Sequence, residues 1–311
     1  MLLPAQLFGI ALVVFVITHV MPGDPITALV GDFPAPPEYV AQLRHDLGLD
    51  QSLWVQFFDY AGRLVHGNLG YSFAYSDPVI DVIGARLVPT LLLTASALVL
   101  GSLAGVALGV LAAARHLRAS DHLITTFALI GFSVPSFWLS QLLILFFAVH
   151  LGWLPSIGMN SMHGDPSGWG ATVDVAQHLL LPTVALALGH VALITRLTRS
   201  SMIETISNDY IRAARAKGLA PQVVLFKHAL RNALLPVLTA GGYSVGLLLS
   251  SSALVETVFG WPGVGRLLYD SLYRRDYPVL VGIFLVTSLL AILANLVVDI
   301  LAARSDPRLQ S

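Results

Sequence analysis

Cysteine is absent from all 311 residues, which excludes disulfides, thiolate nucleophiles and thiolate metal sites. Charge is scarce: Asp, Glu, Lys and Arg make up 11% of the chain, against roughly 25% in a soluble globular domain. Lysine is nearly missing, present only as Lys217 and Lys227 beside fifteen arginines. No G-x-x-x-x-G-K-[ST] stretch occurs, so the chain has no phosphate-cradling loop of its own, and any nucleotide must be held by another subunit. The ten histidines show no paired ligand spacing such as H-E-x-x-H. What fills the space is apolar: hydrophobic residues make up 56% of the chain and mean hydropathy is +0.76. One soluble core cannot hide that much apolar surface, so the bilayer is the solvent for much of it.

Six apolar segments are long enough to cross about 30 Å of hydrocarbon, which takes roughly 20 helical residues. They lie near Leu2 to Val20, Pro89 to Ala114, His122 to Leu151, His178 to Thr198, Leu234 to Val255 and Pro278 to Ala303. Pro135 is placed to kink the third, and Pro182 sits in the first turns of the fourth. The first segment reads as a retained span rather than a cleaved leader, since it lacks a charged flank and ends in the turn Met21 to Pro25. The missing basic flank points to a start further upstream. The fold class expected is an all-α membrane protein with six transmembrane helices. It forms one domain over 1–311, with an external loop 21–88, a cytoplasmic loop 199–233 and a second external loop 257–277.

With six spans both termini share a side. The segments Arg115 to Asp121, Arg196 to Asn232 and the C-terminal tail together carry eleven Lys and Arg, and the opposite set carries six. The positive-inside rule puts the first set, with both termini, in the cytoplasm. Arg115, Arg215 and Arg308 then lie inside, and Trp54 and Trp169 outside. Arg266, Arg274 and Arg275, in the last external loop, run against the trend. In the first external loop Trp54, Phe57, Phe58, Ala61, Leu64 and Val65 recur at helical spacing around Gln56, Asp59 and Arg63. That is an amphipathic helix, resting on lipid or on another protein.

Gly242-Tyr-Ser-Val-Gly246 matches G-x-S-x-G, but a hydrolase elbow needs a strand, a strained turn and a helix, and this copy lies inside an apolar span. Small residues there let membrane helices approach, so helix packing or pathway lining by Tyr243, Ser244, Ser250 and Ser251 is the expected role. His190 reads as a histidine satisfied by a neighbouring helix, and Glu256, at a span end, as an interfacial or helix–helix group.

The main polar cluster is Asp209-Tyr-Ile-Arg-Ala-Ala-Arg-Ala-Lys-Gly218. Ser207 or Asn208 can cap a helix whose first turn carries Asp209, where negative charge suits the helix dipole. Arg215 and Lys217 close its last turn and Gly218 supplies a left-handed end. Tyr210, Ile211 and Ala214 fall near one face, and Ala213, Ala214 and Ala216 keep the helix slim. A basic helix lying on anionic lipid is one outcome. The small-residue face favours insertion into a protein groove, with Ala214 meeting it closely.

At these residues the chain resembles the permease subunits of ATP-binding-cassette importers, whose signature is Glu-Ala-Ala, three residues, then Gly. Ala213, Ala214 and Gly218 match, and Arg212 stands at the Glu position. Tyr210 to Leu219, with His228-Ala-Leu-Arg-Asn-Ala-Leu-Leu-Pro236, is similar to the dipeptide, oligopeptide and nickel branch, where that Glu is commonly replaced. Pro22 to Pro25, Leu47 to Gln51, Gly67 to Gly70, Val255 to Gly265 and Asp276 to Pro278 agree, and the whole looks most like the B-type permease.

The resemblance implies the type I importer permease fold in a bacterial or archaeal cytoplasmic membrane. It further implies a second homologous permease, two ATPase subunits that bind ATP and Mg, an extracytoplasmic binding protein and no nucleic acid. The chain would hold no cofactor or metal and perform no covalent chemistry. Asp209, Tyr210, Ala213, Ala214, Arg215, Lys217 and Gly218 would form the coupling helix, and the cargo would be di- or oligopeptides, with nickel chelates or other small solutes as alternatives. From another class, an ion-gradient transporter would need paired mid-span charges, which are missing. An intramembrane hydrolase using Ser244 would need a base, and none is evident from the sequence.

Overall fold

The computed structural model describes residues 3–20, 36–46, 48–161 and 168–305. The Met21–Pro25 turn, Leu47 and Arg308 lie outside them. Helices dominate: α1 (Leu3–Val20), α2 (Pro37–Asp46), α3 (Leu53–Val65), α4 (Val79–Ala114), α5 (Ala119–Ser133), α6 (Ser136–His150), α7 (Gly168–Ile206), α8 (Asp209–Ala216), α9 (Pro221–Val258), α10 (Val264–Arg274) and α11 (Tyr277–Ser305). A two-stranded antiparallel ribbon, β1 (Tyr71–Ser72) and β2 (Asp77–Pro78), pairs Tyr71 with Pro78 and Ser72 with Asp77. The all-α expectation is therefore corrected by one short hairpin. Ser76 turns it at φ 56, a conformation that hydrogen-bonding side chains in tight turns tolerate.

Against six expected spans, four helices among the described residues (α4, α7, α9 and the Tyr277–Val298 part of α11) are long and apolar enough to cross a membrane. Counting α5 and α6 as one broken span makes five. α1 is an apolar helix of 18 residues. The expected kink at Pro135 is a break: α5 and α6 meet at 101°. Proline disfavours helical backbone at the residue before it, and Val134 is extended at φ −78, ψ 123. Pro89, Pro182 and Pro236 instead lie inside continuous helices.

The chain divides into two compact units whose boundaries fall within α4, α10 and α11: 1–86 with 267–289, and 87–266 with 290–311. In the first, α3 packs on α1 through Phe57, whose ring meets Phe8 and Phe15 edge-on at 5.5 and 5.3 Å. Trp54, Phe58 and Val65 stay exposed, so the amphipathic helix is anchored by buried Phe57, with the Tyr60 ring 5.8 Å from that of Phe15. The hairpin is fastened to the segment just before α11 by one buried and one more open contact. Ser72 Oγ donates to Asp276 Oδ2 at 2.5 Å, and Arg274 lies over the Tyr75 ring at 5.1 Å. Gly70 and Pro278, from two of the recognised motifs, thus stand near each other: a methyl placed on Gly70 would lie 3.9 Å from Pro278.

In the second unit α4 lies against α7 along Gly101, Gly105 and Gly109. A methyl placed on these glycines would stand 2.6 Å from His190, 2.6 Å from Ile194 and 2.5 Å from Thr198, so no larger residue fits without moving the helices. The four-residue spacing of these glycines is the sequence signal of this close helix approach. One apolar core gathers Leu93, Leu186, Leu248, Phe259 and Trp261, and a second gathers Val110, Met202, Ile211, Ala214, Val224 and Ala233.

Candidate functional site

The polar connection folds as expected in outline and differs in detail. α8 runs Asp209–Ala216 with Asn208 at the N-cap position, yet no side chain caps it. Ser207 Oγ turns back to the Glu204 carbonyl at 2.7 Å. Gly218 has φ +76, and its N–H donates to Arg215 O at 2.9 Å, closing the helix in the left-handed conformation. No atom stands within 4 Å of a methyl built there, so its requirement for glycine is conformational rather than steric.

Which face points where corrects the sequence expectation. Ile211 and Ala214 are buried in the second core, so Ala214 meets this chain and not an outside groove. Asp209, Tyr210, Arg212, Ala213, Arg215, Ala216 and Lys217 are exposed. Arg212 pairs with Asp209 one turn away, both well exposed. Tyr210 OH accepts from Asn232 Nδ2 at 2.7 Å and so ties α8 to α9. The result is a short helix glued down by two apolar residues and presenting a polar, alanine-rich outer face.

Three further polar clusters hold the surrounding helices. Ser244 is buried, with Oγ 2.5 Å from Gly241 O and 3.0 Å from His190 Nδ1. A hydroxyl has one proton; given to Gly241 O, it leaves His190 Nδ1–H as the donor to Ser244. His190 Nε2 then accepts from Ser102 Oγ at 3.0 Å. A histidine does stand beside Ser244, which the sequence did not show, but the nitrogen that faces the serine is a donor and not a base. Ser244 also lies on an unbroken helix with its proton engaged, and the second ring nitrogen meets a serine instead of a carboxylate. It is a helix tether, not an elbow. Of the four lining candidates, Tyr243, Ser250 and Ser251 are exposed, and Ser244 is not.

Glu256, expected to be an interfacial or helix–helix group, is fully buried and takes the second role. Its Oε2 accepts from the N–H groups of Gly265 and Arg266 at 2.7 and 3.1 Å, and Oε1 from Thr90 Oγ1 at 2.8 Å. Thr90 Oγ1 in turn accepts from Val264 N at 2.7 Å. The first three N–H groups of α10, which have no partner within their own helix, are thus satisfied by side chains from α9 and α4. Gly263 and Gly265 are required by close approach: a methyl on the first would strike Glu256, and on the second, Ala253. Trp261 Nε1 donates to Pro89 O at 2.9 Å. The Val255–Gly265 motif is therefore a buried polar clasp. The third cluster, missed in the sequence, joins α5 and α7: Arg199 Nε and Nη2 donate to the two oxygens of buried Asp121 at 2.5 and 2.8 Å, and Leu117 N donates at 3.0 Å.

The family of binding-protein-dependent transport system inner membrane components matches residues 105–311, and its N-terminal membrane component matches residues 4–94. The chain belongs to this family. It is thus a membrane permease subunit, multi-pass and not itself catalytic. The di/tripeptide transport system permease protein of Pseudomonas aeruginosa is 40% identical, over 99% of this chain and 96% of its own length. The glutathione transport system permease protein of Escherichia coli is 43% identical, over 98% and 94%. Among solved structures, the methionine ABC transporter in inward-facing conformations aligns with TM-score 0.59 at 22% identity, over 72% of this permease and 96% of that chain. An amino acid ABC transporter crystallised with histidines aligns at 0.54 and 18%, over 72% and 94%. At those identities they speak for the fold, that of ABC importer permeases.

Proposed function

We propose that this permease forms half of the translocation pore of an ATP-driven importer of di- and oligopeptides and acts as one domain over 1–311. A second homologous permease completes the pore, two ATPase subunits bind ATP and Mg on the cytoplasmic side, and an extracytoplasmic binding protein delivers cargo. Six spans, α1 included, place both termini in the cytoplasm, in keeping with the basic bias. α8 is the element that docks into the ATPase, through Asp209, Tyr210, Ala213, Arg215 and Lys217, and Gly218 sets its end.

The observation that carries this reading is the construction of α8. Its inner face is packed into the chain's own core, so a push on its outer face reaches α7 and α9 as a rigid displacement, with Asn232 and Tyr210 as a second link. ATP can drive the motion only through differential affinity of the ATPases for the two states of the pore. Peptide cargo follows from the named activities of the two relatives above; Tyr243, Ser250 and Ser251 are the residues offered for the pathway.

Reconstitution tests the proposal. The purified permease alone should hydrolyse no ATP, and the co-expressed complex should hydrolyse it faster with peptide-loaded binding protein and accumulate labelled dipeptide in vesicles. ATP hydrolysis by this subunit alone, or uptake that persists without ATPases, would refute it.

A further inference from the structure

A groove of about 310 Å³ runs between α5 and α7, walled on one side by Leu123, Phe127 and Gly131 and on the other by Leu188, Val191 and Thr195. Its walls extend about 12 Å along α5. It is apolar except at one end. There Thr195 carries a buried hydroxyl with no hydrogen-bond partner among the described residues. Thr195 is one of the residues lining the groove, and rotation about Cα–Cβ can re-aim that hydroxyl. One turn further along α7, about 6 Å away, stands Arg199 in its pair with Asp121. Arg196 follows Thr195 on α7, and Arg115 and Arg118 stand just before Asp121 at the start of α5; all three are exposed, and no ion pair engages them among the described residues. Asp121, the carboxylate facing them, is already held by Arg199, so the mouth keeps an excess of positive charge.

Apolar groove, lone hydroxyl and cationic mouth follow in the order of a glycerophospholipid's chain, ester and phosphate. We propose that the groove holds one anionic glycerophospholipid, its phosphate at the arginines, an ester carbonyl accepting from Thr195, and an acyl chain along the α5–α7 wall. A zwitterionic lipid offers the same chain and ester but brings its own cation to the mouth, so the site discriminates by headgroup. The site uses only the chain's place in a membrane and is independent of what the permease carries.

The test uses the permease with its co-purifying subunits, placed in nanodiscs of phosphatidylcholine with a minor share of phosphatidylglycerol, then read by native mass spectrometry. Phosphatidylglycerol should be retained well above its supplied share. Replacing Arg115, Arg118 and Arg196 together by serine should lower that preference by about fivefold per arginine, and replacing them by lysine should preserve it. Leu123→Ala with Phe127→Ala should weaken retention of both lipids and leave the headgroup preference unchanged. Retention in the supplied ratio, or a preference that survives in the serine variant at parental abundance, would overturn the proposal and leave ordinary boundary lipid.

Discussion

Tryptophan at Ala213 and tryptophan at Ala214 are neighbouring changes that the structure separates. Ala214 sits between Met202, Val224 and Ala233, and an indole there overpacks a filled core, at a cost of typically 1–3 kcal/mol and a fall in membrane abundance. Ala213 is exposed, so its tryptophan variant should stay within about 0.5 kcal/mol of the parent and keep its abundance and its pairing with the sister permease. If the outer face of α8 meets the ATPase, that same variant should nevertheless lose most transport, and ATP hydrolysis should stop responding to binding protein. Gly218→Ala completes the set. With open space around it, its cost is the left-handed backbone alone, about 1–2 kcal/mol, so it should show a partial version of the coupling defect. Membrane abundance by immunoblot, dipeptide uptake and stimulated ATPase rate together read the series. An Ala213→Trp variant that transports at the parental rate with normal abundance would refute the assignment of α8.

The clasp gives a second prediction: Glu256→Ala leaves the part-buried N–H groups of Gly265 and Arg266 without their acceptor, at about 1 kcal/mol each, and should cut the yield of monodisperse complex on size-exclusion chromatography. Orientation is tested by single cysteines, which have no background: position 54 should react with an impermeant maleimide in intact cells, and positions 115 and 215 only after the membrane is opened. Tyr60 on α3 has a buried hydroxyl without a partner among the described residues, and burial pushes its pKa up to about 12. Its unfolded form ionises near 10, so its contribution is present below pH 10 and falls as pH rises toward 12. Tyr60→Phe should be neutral or stabilising by up to about 1 kcal/mol in thermal melts at pH 7, and should lose less stability above pH 10 than the parent.

The bounds of α8 were legible from Asp209 to Gly218 because charge at the first turn and glycine at the end are local signals. Equally legible were the need for a bilayer, from composition, and the lack of a nucleotide loop, from motif. The tertiary structure decided which alanine of α8 is buried: the helical period fixes the angle between Ala213 and Ala214, but only the cores of α4, α7 and α9 choose the inward side. It also turned Glu256 from a span-end charge into the cap of a separate helix, and gave Ser244 a histidine 54 positions away. Pro135 announced a bend, while its 101° depended on what the two halves pack against. Sequence by itself determined the solvent, the local helix ends and the family; contacts between distant segments, which no local pattern encodes, decided which polar groups are partners and which face of α8 stays exposed.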